Sequence, residues 1–142
     1  MLPREGDKTM TEDSKIATQA GSPRIAAFGS LLAFAGVFLG AMGTHALKSQ
    51  ISPLRFEVFE TAVRYQLWHA IALVAIGLSP AARERVMSLP ATLMIVGVVL
   101  FSGSLYALAI DAPTWLGFIT PLGGLCLMAG WLSLALVVRA RS

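Results

Sequence analysis

Few side chains in this sequence could do chemistry, and most of those that could lie between Thr44 and His69. Two histidines, His45 and His69, bracket Arg64 and Gln66, with Glu57 and Glu60 close by. A histidine pair on facing helices would suit bis-imidazole ligation of a haem iron. An arginine and a histidine inside an apolar span would suit recognition of a charged group or passage of an ion, because ionisable groups in a membrane normally face a bundle interior or a wet cavity. Glu57 and Glu60 could be read as paired carboxylates. With Arg64, however, they fall on one helical stripe, and Glu60 to Arg64 is the favourable i,i+4 order for an ion pair. Ser102, Ser104 and His69 could be written as an intramembrane dyad, yet nothing in the sequence brings them together. A serine in a membrane helix ordinarily bonds its own backbone or a packed neighbour. No G-x-S-x-G elbow, H-E-x-x-H pair or Walker lysine occurs. The candidate site is therefore an outward polar patch of His45, Arg64, Gln66 and His69. No catalytic residue, metal or cofactor is expected, and the plainest role of each histidine is one hydrogen bond to a neighbouring helix.

The solvent in which such a patch must work follows from the composition. Of the 142 residues, 56% are hydrophobic and 13% charged, with a mean hydropathy of +0.71. Soluble domains carry roughly 25% charged residues, so this chain cannot clothe a soluble globule without leaving a large apolar surface. A soluble enzyme is excluded. So is a nucleic-acid binder, since the net charge is only +3 and no basic cluster forms a phosphate-binding stripe. The single cysteine, Cys126, rules out an internal disulfide and any multi-cysteine metal site.

The elements that must hold the patch are apolar helices. Residues 1–24 mix Arg4, Lys8, Lys15 and Arg24 with Glu5, Asp7, Glu12 and Asp13 and read as a disordered cytoplasmic tail. Residues 25–142 read as a four-span membrane domain. Its first span, 25–46, reaches about 33 Å, enough for a ~30 Å hydrocarbon core. The second, 54–78, opens at Ser52-Pro53 as N-cap and first helical position. Its first half is amphipathic, lying at the interface or kinking its charges into a bundle. The third (89–110) and fourth (115–138) carry no charge, and Pro121 is expected to bend the fourth. Short connections predict an all-α, antiparallel four-helix transmembrane bundle.

Along the first span Gly29, Ala33, Gly36, Gly40 and Gly43 step by helical spacings. Such a stripe lets a second helix approach closely, and association in lipid depends on that packing. Its expected use is packing within the protomer, with an oligomer interface as the alternative. Gly97 and Ser104, then Gly117, Gly123, Gly124 and Gly130, repeat the theme in the last two spans. Flanking charge sets the orientation. With both termini inside, the cytoplasmic side holds Arg24, Arg83, Arg85, Arg139 and Arg141, against Lys48, Arg55 and Arg64 outside. Tyr65, Trp68, Tyr106 and Trp115 would then form an aromatic belt at the outer interface.

Several strings in this order carry a resemblance. They are G-A-M-G-T-H-A-L (Gly40 to Leu47), F-E-T-A-V-R-Y-Q-L-W-H-A (Phe59 to Ala70), F-S-G-S-L-Y (Phe101 to Tyr106), T-P-L-G-G (Thr120 to Gly124) and Gly130-Trp131. From Arg24 onward the chain resembles the domain-of-unknown-function 423 family, bacterial relatives of the animal transmembrane protein 256. Met42 and Thr44 depart from the family's usual Phe and Ala, and the N-terminal tail is longer. The resemblance implies a small four-span protein, in the inner membrane for a bacterial source, with no enzymatic activity to carry over. It matches motif positions to His45, Arg64 and His69, and to Ser102, Ser104, Thr120 and Gly123, without giving them roles. The expected function is non-enzymatic: packing with lipid, with itself or with a membrane partner. Oligomeric transport of a small solute or ion, and a haem or redox role through the histidine pair, are the alternatives.

Overall fold

The computed structural model describes residues 21–140, which form four long helices joined by short turns, with no strand among them. Most of the tail expected to be disordered lies outside the described residues. Its last two members, Pro23 and Arg24, instead form the first turn of α1, Pro23–Met42. Proline at N1 costs no intrahelical bond there and its fixed φ suits the helix. Beyond Met42 the chain widens into one π-helical turn, Gly43–Leu47, closed by the Lys48 N–H donating to the Gly43 carbonyl at 2.9 Å.

Helix α2, Pro53–Leu78, is continuous over its 26 residues, about 39 Å. Its start is the one the sequence predicts: the Ser52 hydroxyl accepts from the Arg55 N–H and Pro53 follows as N1. A 3-10 turn, Pro80–Arg83, leads into α3, Arg85–Ala109. This helix begins earlier than expected and takes Pro90 inside, where the ring is fully buried. A proline so near the start removes only one bond, to the carbonyl of the first turn. Asp111 then reverses the chain with φ of 75°, a conformation a short polar side chain tolerates. After a 3-10 turn, Thr114–Phe118, α4 runs Ile119–Arg139. Pro121 therefore sits in the first turn of α4, where its missing N–H has no partner to lose, and marks the helix start rather than a bend within the span.

Each helix packs chiefly on its neighbours in sequence, α1 on α2, α2 on α3 and α3 on α4. The contacts ascend one helix as they descend the next. Gly29 lies on Ala70 and Val74, Gly36 on Leu67, Gly40 on Val63 and Gly43 on Phe59. In the same way Gly97 meets Leu127, Phe101 meets Gly123 and Met94 meets Gly130. Glycine is needed at the tightest of these places. A β-carbon at Gly29 would stand 2.8 Å from the Val74 nitrogen, and at Gly77 or Gly123 it would overlap the backbone of Ala26 or Phe101. All four helices meet where Leu73, Ile76, Ala91 and Met94 are buried, with Ile25, Leu32 and Leu134 packed around them.

Helices α1, α3 and α4 are each long and apolar enough to cross a membrane. Helix α2 is long enough but more polar, and it shares with α3 the most deeply packed position in the bundle. Phe34, Leu31 and Val37 on α1 and Met128 and Leu132 on α4 instead point away from the bundle. Lipid tails are as apolar as these side chains, so nothing is gained by hiding them from a bilayer. On α2 the fold buries one stripe, which includes Gln66 and His69, and leaves Trp68 and Ile71 facing outward.

Candidate functional site

The patch read from the sequence is divided by the fold. Gln66 and His69 are buried, whereas His45 and Arg64 are exposed. The reason is helical geometry: Gln66 and His69 lie on the stripe of α2 that continues through Ala62, Ala70 and Leu73, and that stripe faces the other helices.

The buried pair works as a set of pins. The Gln66 amide donates to the Leu32 carbonyl of α1 at 2.8 Å, and its oxygen accepts from the Tyr106 hydroxyl of α3 at 2.8 Å. His69 Nε2 lies 3.0 Å from the indole nitrogen of Trp131 on α4, and its Nδ1 lies 2.7 Å from the Tyr65 carbonyl. Indole can only donate and a carbonyl can only accept, so the imidazole is the neutral Nδ1–H tautomer. From one helix, two side chains thus reach all three others. A fourth inter-helix link joins Ser104 of α3 and Thr120 of α4 at 2.7 Å. Buried polar groups in lipid are tolerated when paired in this way.

This arrangement answers the histidine question. Neither nitrogen of His69 presents a free lone pair, because one is protonated and the other accepts from Trp131. The α1 turn that carries His45 packs at the level of Phe59, so the two histidines stand about ten residues, roughly 15 Å, apart along α2. Because α2 runs as one continuous helix, it does not bring the two histidines together. Among the described residues no three His, Cys, Asp or Glu side chains gather as metal ligands would.

Arg64 belongs to a different feature. Between the end of α1 and the first half of α2 runs a groove of about 280 Å³. Gly40, Gly43 and Thr44 line it from α1 and its π-helical turn, and Phe56, Phe59, Val63 and Leu67 from α2, with Glu60 and Arg64 also on its wall. The groove exists because the α1 side is built of small residues, and the Thr44 hydroxyl is turned back onto the Gly40 carbonyl at 3.1 Å. Glu60 and Arg64 are one turn apart in the order that favours an ion pair, yet neither bonds the other or any other described residue. The ion pair at this end of the molecule is instead Arg55 with Asp111, between the start of α2 and the turn after α3.

Sequence reasoning missed three participants. The sequence pattern does not pair Trp131 with His69, does not give the Tyr106 hydroxyl its acceptor Gln66, and does not single out Gly77 as a packing position. A lone glycine near the end of an apolar helix is the faint signal that could have pointed to Gly77. No local signal couples Trp131 to a residue 62 positions away.

Long helices with leucine, phenylalanine and valine on their outward faces, and bonded polar residues on an inward stripe, are those of a small polytopic membrane protein. Its family follows from comparison with known proteins. Residues 39–124 match the family model described as protein of unknown function (DUF423), and the chain belongs to that family. UPF0382 membrane protein SH2409 of Staphylococcus haemolyticus is 42% identical over 106 residues, covering 75% of this chain and 87% of that protein. A UPF0382 membrane protein of Haemophilus influenzae is 38% identical over 109 residues, covering 75% and 88%. UPF0382 inner membrane protein YgdD of Escherichia coli is 35% identical over 107 residues, covering 73% and 80%. No solved structure matches. The resemblance read from the motif strings is thereby established, and the matched segment includes the groove residues with Gln66, His69 and Tyr106, while Leu32 and Trp131 lie outside it.

Proposed function

We propose that this protein is a non-enzymatic inner-membrane protein that binds lipid in the groove between α1 and α2. In this reading it is an antiparallel four-span bundle with both termini cytoplasmic and the groove opening toward the outer leaflet. The observation that carries it is the contrast within α2: the buried polar residues are bonded to other helices, while the two charged residues on the groove have no bonding partner among the described residues. An unpaired guanidinium below a membrane surface is costly, and an anionic group in the groove would relieve it. The E. coli relative's name, an inner membrane protein, supports the location. The Arg and Lys distribution supports the orientation.

A native mass spectrum of the protein purified in mild detergent tests this. The expected result is a stoichiometric lipid adduct that Arg64→Ala loses and Trp131→Phe keeps. A bare monomer, or an adduct indifferent to Arg64, would overturn the reading. A second reading, transport by an oligomer, draws on Ser102. Its hydroxyl is buried without a partner among the described residues and lies one helical turn from Tyr106. Reconstituted vesicles that stay impermeable to a broad panel of solutes and ions would count against that role.

A further inference from the structure

We infer that the groove selects a phospholipid carrying a primary ammonium beside its phosphate, a phosphatidylethanolamine, which rests on the lipid-binding reading above and specifies its ligand. Two charges of opposite sign line the groove, not one. Glu60 and Arg64 are both exposed, both on its wall and both unbonded among the described residues. A purely anionic headgroup would satisfy Arg64 and be repelled by Glu60. A choline headgroup carries no N–H and could not donate to the carboxylate. A phosphate and an ammonium two carbons apart match both, each by a charge-assisted hydrogen bond.

Depth agrees with this assignment. Leu78 ends α2 on one side, and a hydrocarbon core of ~30 Å is crossed by about 20 helical residues, which places the opposite boundary near Val58. Glu60 and Arg64 then lie about 3 and 9 Å below that boundary. A long arginine side chain spans such a distance by directing its head toward the interface. The floor offered by Gly40 and Gly43, with Phe59, Val63 and Leu67, is apolar and open, as an acyl chain leaving that headgroup requires. A second cavity bordered by polar side chains of α2, between Tyr65, His69, Phe101 and Trp131, has no charged residue on its wall among the described residues. Two opposite charges over an apolar floor distinguish the α1–α2 groove from it.

The test titrates the full-length protein in mild detergent with phosphatidylethanolamine, phosphatidylcholine and phosphatidylglycerol of identical acyl chains, counting adducts by native mass spectrometry. The ethanolamine lipid is expected to bind about tenfold more tightly than either competitor, the scale of one hydrogen bond to a charged group. Glu60→Gln should erase that preference while lipid is still retained, and Arg64→Ala should lose the adduct with all three. Equal binding of the ethanolamine and glycerol lipids, or a preference that survives Glu60→Gln in a variant with wild-type helical content, overturns the headgroup assignment. In that event Arg64-dependent retention would still sustain the groove. Absence of any adduct overturns both. Should Glu60→Gln fail to fold, the wild-type comparison of the three lipids decides alone.

Discussion

Two stretches of α2, barely two turns apart, treat polar side chains in opposite ways. At Gln66 and His69 each hydrogen-bonding group that could be stranded in lipid is matched to a donor or acceptor on another helix or on its own backbone. At Glu60 and Arg64 two full charges face a groove and bond to no other described residue. The difference teaches how to read a polar residue in a membrane helix. A bonded one fixes the fold, because moving the helix would orphan it. An unbonded one, at a depth where solvation is scarce, holds interaction free energy in reserve for a ligand. Composition sees four polar residues in one segment and gives no reason to separate them.

The contrast can be broken most forcefully by pushing helices apart where the inner bonds depend on close approach. Gly123→Leu places side-chain atoms in the backbone of Phe101 and should cost about 3 kcal/mol or more, measured by detergent unfolding followed by circular dichroism. Gly124→Ala, whose β-carbon would meet only the Phe101 ring at 3.7 Å, should stay within about 0.5 kcal/mol on the same assay. Similar losses in the two variants would refute the close α3–α4 contact.

Gln66→Leu removes two inter-helix bonds and strands the Tyr106 hydroxyl, with an expected loss of about 1–2 kcal/mol. Adding Tyr106→Phe should restore part of it, so a double-mutant cycle should show coupling. Strict additivity would mean that the bond contributes nothing. Trp131→Phe should cost about 1 kcal/mol and free His69 Nε2 from its donor. The imidazole nitrogen resonances should shift accordingly, and an unchanged Nε2 resonance would show that the indole does not donate there.

The smallest stability effect is expected at the groove. Arg64→Ala should change unfolding free energy by no more than about 0.5 kcal/mol while abolishing lipid retention. A large loss of stability without ligand would move Arg64 into the same structural class as Gln66 and erase the contrast.

Much of the scaffold was legible beforehand. The spans show as long apolar runs, the start of α2 as Ser52-Pro53, and the stripe of Gly29, Ala33, Gly36, Gly40 and Gly43 as small residues at helical spacing. Gly29, Gly36, Gly40 and Gly43 do meet α2 within the protomer. Pro121 misled because a proline in an apolar run looks the same whether it begins a helix or bends one, and only the 3-10 turn before Ile119 shows which. The site was less legible. Helical phase places Gln66 and His69 on one stripe, but which stripe is enclosed depends on where α1, α3 and α4 lie.

Sequence by itself determined that this protein is helical, belongs to a membrane, and concentrates its polar residues in the second of four helices. Those properties are sums over single residues or over neighbours within a few turns, where hydropathy, helical period and capping act. Tertiary structure decided that Trp131 serves His69, that Tyr106 serves Gln66, and that Glu60 and Arg64 share a groove without partners among the described residues. Each of those outcomes depends on pairs distant in sequence meeting within about 3 Å of a hydrogen bond, or failing to. In a bilayer that geometry is set by how closely glycine-bearing helix faces can approach, which no single segment encodes.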